Sequence, residues 1–168
     1  MKDKEPCAEV HEGEDFRVHR RNLPHWEQHG STYFVTFRSA DGFRLSNEAK
    51  TVVLDAALFH AGKKYELFAC AIMDDHVHLI LRPLERADGP QFGLSEIMHS
   101  IKSYSAHKLQ RLMGRRGKVW QSENYDRVVR NERDWLEKMN YVAGNPVRSG
   151  LADSPEDYPW LFVAESGE

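Results

Sequence analysis

Two apolar runs separated by only two residues constrain the fold of this 168-residue chain more than any other feature. The runs cover residues 65–73 and 76–82, and both have the length and composition of β-strands. Asp74 and Asp75, which lie between them, favour a turn. So short a connection predicts an antiparallel hairpin. The other segments of the chain then have to complete and cover its sheet.

The remaining patterned segments alternate between strands and helices. Strands are predicted over residues 31–38 and 125–130, and helices from an N-cap at Ser46 to about residue 60, over residues 94–113, and from an N-cap at Asn131 to Pro146. The order β-α-β-β-α-β-α predicts an α+β fold, a four-stranded antiparallel sheet of ferredoxin-like type with two helices on one face. An additional C-terminal helix is then free to carry functional residues.

The composition is that of an ordinary globular domain, with 40% hydrophobic and 29% charged residues. No apolar stretch reaches the ~20 residues that span a bilayer, and the N-terminal segment lacks the apolar core of a signal peptide, so we expect a cytoplasmic protein. Residues 1–15 are predicted to be a disordered tail and residues 16–168 a single domain. Cys7 and Cys70 are the two cysteines, so we expect no disulfide framework.

The net charge of −3 conceals a basic segment. Between residues 101 and 150, Lys and Arg outnumber Asp and Glu roughly two to one. Such a segment can present a basic surface to a polyanion although the chain is acidic overall. Ordinary solvated helix faces are the alternative interpretation.

A basic turn followed by an indole and an amide is the candidate nucleic-acid contact in this segment. Arg115, Arg116 and Lys118 could hold a phosphate backbone. Trp120 and Gln121 could stack on a base or hydrogen-bond to it. A buried indole that anchors the connection is the other interpretation of Trp120.

His76-Val77-His78 opens the second strand of the predicted hairpin. Residues two apart on a strand point to the same side, so both imidazoles are predicted to leave one face of the sheet together. Two convergent imidazoles form half of a divalent-metal site. In a chain with 9 histidines such a pair also arises by chance, so the motif alone is a hypothesis.

The last predicted helix carries a tyrosine away from its apolar side. Trp135, Met139 and Val142 form the apolar stripe, and Tyr141 lies about 120° from it at the ~100° per residue of an α-helix. Asn145, four residues later, returns to nearly the same side as Tyr141. The pair could face an active site, and a tyrosine ring lying on the surface is the alternative. Two competing tyrosines, Tyr104 and Tyr125, are interpreted as core and sheet packing.

Three segments taken together resemble a known family. They are residues 73–80 (Met-Asp-Asp-His-Val-His-Leu-Ile), 119–121 (Val-Trp-Gln) and 140–150 (Asn-Tyr-Val-Ala-Gly-Asn-Pro-Val-Arg-Ser-Gly). The pattern is similar to the REP-associated tyrosine transposases, of the Y1-transposase branch of the HUH endonucleases. The similarity runs in order from residues 23–26 to residues 157–160. Two features depart from the family: Asp74-Asp75 stands where many members have Pro followed by Asn or Glu, and the overall charge is acidic for a DNA enzyme.

The resemblance implies a metal-dependent endonuclease and strand transferase for single-stranded DNA. Carried over by position, His76 and His78 would bind Mg²⁺ or Mn²⁺ together with the amide of Asn145. Tyr141 would be the nucleophile and would form a 5′-phosphotyrosine. The implied fold agrees with the one predicted above, with the tyrosine on the additional C-terminal helix.

The implied substrate is a short DNA hairpin formed by a repeated palindromic element. The basic turn and the Trp120-Gln121 pair are the predicted DNA contacts. Two other functions remain as alternatives: a domesticated module that binds such a hairpin without cleaving it, and a hydrolytic metalloenzyme that uses a metal-bound water. The resemblance leaves open whether the chain acts alone or as a homodimer.

Overall fold

The computed structural model describes residues 30–165, so the predicted tail over residues 1–15 lies outside the described residues. The strands are β1 Tyr33–Arg38, β2 Tyr65–Ile72, β3 His76–Pro83, β4 Glu85–Arg86, β5 Gly89–Gln91, β6 Tyr125–Val128 and β7 Leu161–Val163. The helices are α1 Asn47–Phe59, α2 Leu94–Met113 and α3 Glu132–Arg148. Among these residues, no helix combines the length and the apolar character needed to cross a bilayer.

A five-stranded sheet in the order β6-β1-β3-β2-β7 forms the centre of the fold, and its neighbours are antiparallel. The predicted α+β fold class and the β2–β3 hairpin are confirmed. The sheet has one strand more than predicted, because β7 pairs with β2 along residues 69–71. A strand of three residues is too short for a periodic signal in the sequence. A second small hairpin, β4–β5, lies between β3 and α2.

The two faces of the sheet are covered by different helices. One core contains residues of α1 and α2 packed on Val77, Leu79 and Leu81 of β3. The other contains the α3 stripe Trp135, Met139 and Val142 packed on the opposite face. The central strand β3 is therefore covered on both sides, and α3 is the additional helix expected from the sequence.

The predicted caps fix where α1 and α3 begin. Ser46 Oγ accepts a hydrogen bond from the backbone N–H of Ala49 at 3.2 Å, and Asn131 Oδ1 accepts one from Asp134 at 2.9 Å. The predicted end of α3 at Pro146 is wrong, since the helix continues to Arg148. The proline removes one backbone donor, but it does so in the last turn, where the helix is about to end.

The hairpin turn is tied to α1 by an ion pair. Lys50 Nζ lies 2.6 Å from Asp74 Oδ1, and only 6% of the lysine side chain is exposed. Arg44 binds the same carboxylate from the solvent side. Burial by itself would raise the pKa of Asp74, but the hydrogen bonds and charges of Lys50 and Arg44 lower it overall. Asp74, which stands where many members of the resembled family have proline, is therefore held by an ion pair to α1.

Aromatic residues near the C-terminal end of the described chain cover the same ion pair. Lys50 Nζ lies 5.0 Å from the ring centre of Trp160 and 5.6 Å from that of Tyr158. The Tyr158 hydroxyl donates to the carbonyl of Ile72 at 2.6 Å. These contacts connect the end of the chain to the turn that precedes His76.

Asp74→Asn is expected to lower the free energy of unfolding by about 1–3 kcal/mol, because it leaves the buried Lys50 ammonium without its main counter-charge. Urea denaturation at neutral pH measures this. Because the folded pKa of Asp74 is lowered, its contribution is present above the unfolded value of 3.8 and is lost as the pH falls through the folded value. The difference between wild type and variant should therefore shrink in acid.

The matched control is Asp55→Asn on the exposed side of α1, which should change stability by less than about 0.5 kcal/mol. Equal effects of Asp55→Asn and Asp74→Asn at neutral pH would contradict the role of the pair.

Candidate active site

The alternation of β3 places both imidazoles on one face of the sheet. Val77 and Leu79 point into the α1/α2 core, so His76 and His78 point to the α3 side. The two ring centres are 4.8 Å apart and the ring planes lie at 77°. The expectation that the histidines share a face is therefore met in the structure.

Each imidazole is held through its Nδ1 atom. His78 Nδ1 lies 2.7 Å from Thr36 Oγ1, and His76 Nδ1 lies 2.6 Å from Asp75 Oδ1. The hydrogen bond to His76 lowers the pKa of Asp75, which keeps the carboxylate ionised. With both Nδ1 atoms engaged, the Nε2 atoms are the ones left to bind a ligand.

His78 Nε2 is buried and has no hydrogen-bond partner within residues 30–165. Burial lowers the pKa of His78 to about 3, and the positive charges of His76, Arg38 and Arg148 add to this effect. The imidazole is therefore neutral near pH 7, as a metal ligand must be. A buried polar atom without a partner is costly unless a ligand satisfies it.

Tyr141 lies directly against His78. The two ring centres are 5.3 Å apart at 76°. Phe34 of β1 supports both rings: it stacks on His78 at 5.7 Å and meets Tyr141 edge-on at 5.9 Å. Because the apolar stripe of α3 packs on the sheet, Tyr141 reaches this position from the side of the helix, and it remains 44% exposed.

Asn145 lies one turn after Tyr141 on α3 and is 7% exposed. Its Oδ1 accepts a hydrogen bond from Ser149 Oγ at 3.1 Å. In the part of the chain that the structure describes, no cluster of three or more His, Cys, Asp or Glu side chains could hold a metal ion. A metal site here would therefore need the amide of Asn145, or ligands from outside the protein, in addition to the two imidazoles.

Several basic side chains surround this face and were not singled out in the sequence. Arg38 is the register partner of His76, and Arg127 of β6 is the register partner of Phe34, so both lie on the histidine face. Lys138 Nζ is 5.5 Å from the ring centre of Phe34. Arg148 lies over the ring of Tyr141. The alternation of side chains along β1 assigns Arg38 to the histidine face only when the pairing of β1 with β3 is known.

The two competing tyrosines, Tyr104 and Tyr125, occupy different surroundings from those expected. Tyr104 is 40% exposed and stacks on Phe59 at 6.0 Å on the α1/α2 side, so the core-packing interpretation is wrong. Tyr125 is the register partner of Thr36 on the edge strand β6 and is exposed rather than packed. Tyr125 therefore shares the histidine face, whereas Tyr104 does not.

The predicted contact at Trp120 requires correction. Its indole is only 4% exposed, donates to Ser105 Oγ at 3.0 Å and meets Phe37 edge-on at 4.8 Å. A side chain packed in this way cannot stack on a base, so the alternative interpretation of a buried anchor is the correct one. Gln121 is exposed, but its amide donates to the carbonyl of Ser39 at 3.1 Å and fixes the end of β1.

The basic turn lies at the end of the sheet where β1 ends and β3 begins. Arg115 covers Phe43 at 4.5 Å, Arg116 is exposed, and Lys118 Nζ binds Ser122 Oγ at 2.5 Å. The backbone N–H of Gln121 donates to the carbonyl of Arg38. A groove of about 630 Å³ between α2 and residues 117–124 lies beside the turn.

The sequence model of the family described as "Transposase IS200 like" matches residues 46–132, which is over half of the chain and includes both histidines. The chain belongs to the IS200-like transposase family. The matched region ends at the first residue of α3, before Tyr141 and Asn145.

Two relatives agree with this assignment. A Haemophilus influenzae protein named as a REP-associated tyrosine transposase is 23% identical over 101 residues, which is 57% of either chain. The chain thus spans a little over half the length of this relative. The structure of a REP-associated tyrosine transposase bound to a REP hairpin matches with a TM-score of 0.63, at 20% identity, over 86% of this chain and 80% of the other. The resemblance to this group is confirmed, and the fold is shared.

His78 is expected to stay neutral in the folded, metal-free protein throughout the range from about pH 5 to 8, because its pKa is lowered to about 3. Two-dimensional ¹H–¹⁵N spectra of the imidazoles measure this, with the His78 signals identified by their loss in His78→Ala. Conversion of His78 to imidazolium near pH 6 would contradict the burial-based explanation.

Proposed function

We propose that this chain is a DNA strand transferase in which Tyr141 attacks a phosphodiester of single-stranded, hairpin-forming DNA. The observation that carries the proposal is the contact between the Tyr141 ring and His78 on an accessible face that also bears His76. A solvent-accessible phenol beside two convergent imidazoles suits nucleophilic attack on a phosphate held between them. Membership of the IS200-like transposase family supports the same reaction class.

In the proposed reaction the Tyr141 hydroxyl oxygen forms a bond to phosphorus and loses its proton. The bond from phosphorus to the 3′ oxygen breaks, and that oxygen takes up a proton and leaves as a 3′-hydroxyl. The products are a 5′-phosphotyrosine and a free 3′ end. A second 3′-hydroxyl can later attack the phosphotyrosine, which rejoins a strand and restores the phenol.

The chemistry of the two imidazoles supports binding of a divalent ion. His76 and His78 would bind it through Nε2, with Thr36 and Asp75 fixing the two rings through Nδ1. The amide of Asn145 is the proposed third ligand. When bound, Mg²⁺ or Mn²⁺ would polarise the scissile phosphate as a Lewis acid. Two imidazoles and one amide would leave positions for water and phosphate oxygens.

The proposed substrate is hairpin DNA, as in the related transposase whose structure contains a REP hairpin. Arg38 and Arg127 lie on the histidine face and could hold the phosphates near the cleavage point. The turn at Arg115, Arg116 and Lys118 could hold the strand further along, at the same end of the sheet. Contacts of this kind position the backbone without reading its sequence.

Tyr141→Phe is expected to abolish the covalent protein–DNA adduct while leaving hairpin affinity within about threefold of wild type, because only the attacking oxygen is lost. Labelled single-stranded hairpins incubated with Mn²⁺ and separated by denaturing electrophoresis measure the adduct. Tyr104→Phe and Tyr125→Phe are the matched controls, and both should retain it.

The outcomes separate the three functions. Hairpin binding without any adduct from the wild-type chain would favour the non-cleaving module. Cleavage without an adduct, unaffected by Tyr141→Phe, would favour a hydrolytic metalloenzyme. An adduct that persists in Tyr141→Phe and disappears in Tyr125→Phe would refute the assignment of the nucleophile.

Thr36→Val is expected to weaken Mn²⁺ binding about 10- to 100-fold, since the hydroxyl that orients His78 is replaced by a methyl group of similar size. Titration calorimetry on the DNA-free protein measures this. Thr32→Val is the control, because Thr32 precedes the same strand and its hydroxyl has no hydrogen-bond partner among the residues that the structure describes. Equal Mn²⁺ affinity of the two variants would argue against His78 as a ligand.

A further inference from the structure

Arg148 touches Tyr141 in two ways. Its Nη2 atom donates to the backbone carbonyl of Tyr141, and its guanidinium carbon lies 4.9 Å from the centre of the Tyr141 ring. The two residues are seven positions apart, which is close to two helical turns. The arginine side chain therefore runs back along the surface of α3 towards the helix start.

The route of Arg148 passes over Gly144. A Cβ atom at position 144 would lie 2.7 Å from Arg148 Nη1, closer than such atoms approach. Gly144 has no positive φ angle, so its helical backbone does not itself require glycine. Glycine inside a helix is unfavourable relative to alanine. What glycine provides at position 144 is space for the Arg148 guanidinium.

We propose that Arg148 is a positioning residue for Tyr141 and that Gly144 is the element that admits it. Tyr141 contacts His78 and Phe34 on its inner side, but it projects from the flank of the helix and is nearly half exposed. Arg148 supplies the contact on the outer side. Clamped between these groups, the phenol is held at one angle to the histidines.

The catalytic consequence rests on the function proposed above. Nucleophilic attack requires the phenol oxygen to be aligned with the phosphate, and a displacement of about 1 Å can cost about 100-fold in rate. Loss of the outer contact would let the Tyr141 side chain change rotamer. The effect should therefore appear in the rate of adduct formation rather than in hairpin affinity.

Gly144→Ala gives the sharpest test, because it removes no charge and no contact of its own. The added methyl group meets the far end of a flexible side chain, so Arg148 should swing away while the helix persists. We expect an unchanged or slightly raised Tm and adduct formation about 10- to 100-fold slower at saturating hairpin. Arg148→Ala should slow the reaction by a similar factor.

Two further variants separate positioning from charge. Arg148→Lys retains the positive charge but lacks the planar guanidinium, so it should remain slow. Arg111→Ala, at the exposed end of α2, removes one positive charge elsewhere and should leave the rate at saturating hairpin unchanged. A full rate in Arg148→Lys would assign the effect to charge and overturn the positioning role.

A measurement on the DNA-free protein tests the positioning role of Arg148 separately from the proposed strand-transferase function. The ring signals of Tyr141 in ¹³C-tyrosine-labelled protein, identified by their loss in Tyr141→Phe, should shift in both Gly144→Ala and Arg148→Ala. Unchanged signals in both variants overturn the inference, whatever the adduct assay gives. Shifted signals with a full adduct rate also overturn it. If the signals shift but the wild-type chain forms no adduct on any hairpin, the proposed function fails and the contact itself stands.

Discussion

The antiparallel register between β1 and β3 is the constraint on which the rest of the site depends. It places Thr36 opposite His78, where its hydroxyl contacts the His78 imidazole. It also places Arg38 opposite His76, which puts a positive charge beside that imidazole. Side chains alternate along a strand, so a slip of one residue would turn both histidines into the α1/α2 core. Val77, Leu79 and Leu81 prevent that slip, since they would lose their burial on the same shift.

The second requirement is a helix on the histidine face that leaves that face accessible. α3 meets it because its apolar stripe packs beyond the histidines, on Phe68 and neighbouring residues of β2, while Tyr141 projects from the helix side towards His78. The proposed nucleophile is thus carried by a rigid element rather than a loop. A fixed helix on a fixed sheet gives the reproducible geometry that a proposed phosphoryl-transfer site needs.

Much of this arrangement could be predicted from the sequence, because it depends on local periodicity. The β2–β3 hairpin, the shared face of the histidines and the stripe of α3 all follow from periods of 2 and 3.6 residues. Features that depend on long-range pairing could not be predicted. The β7 strand, Arg38 beside His76, and Tyr125 on the histidine face become evident only from the order of the strands.

The same distinction explains why the surroundings of Trp120 and Tyr104 were mispredicted. Trp120 follows a basic turn, and only its contacts with Ser105 and Phe37 reveal a buried anchor. Tyr104 has the spacing of a core residue on α2, but α1 presents Phe59 beside it at the surface rather than in the interior. Periodicity gives the side of a helix, whereas the neighbouring element decides whether that side is covered.

The most direct test of the central claim is to identify the residue that carries DNA after the reaction. Wild-type protein incubated with a single-stranded hairpin and Mn²⁺, denatured, digested with nuclease and protease and analysed by mass spectrometry should yield a peptide with a phosphodeoxynucleotide on Tyr141. The same modification on Tyr125 or Tyr104, or cleavage of the hairpin with no modified peptide, would contradict the account.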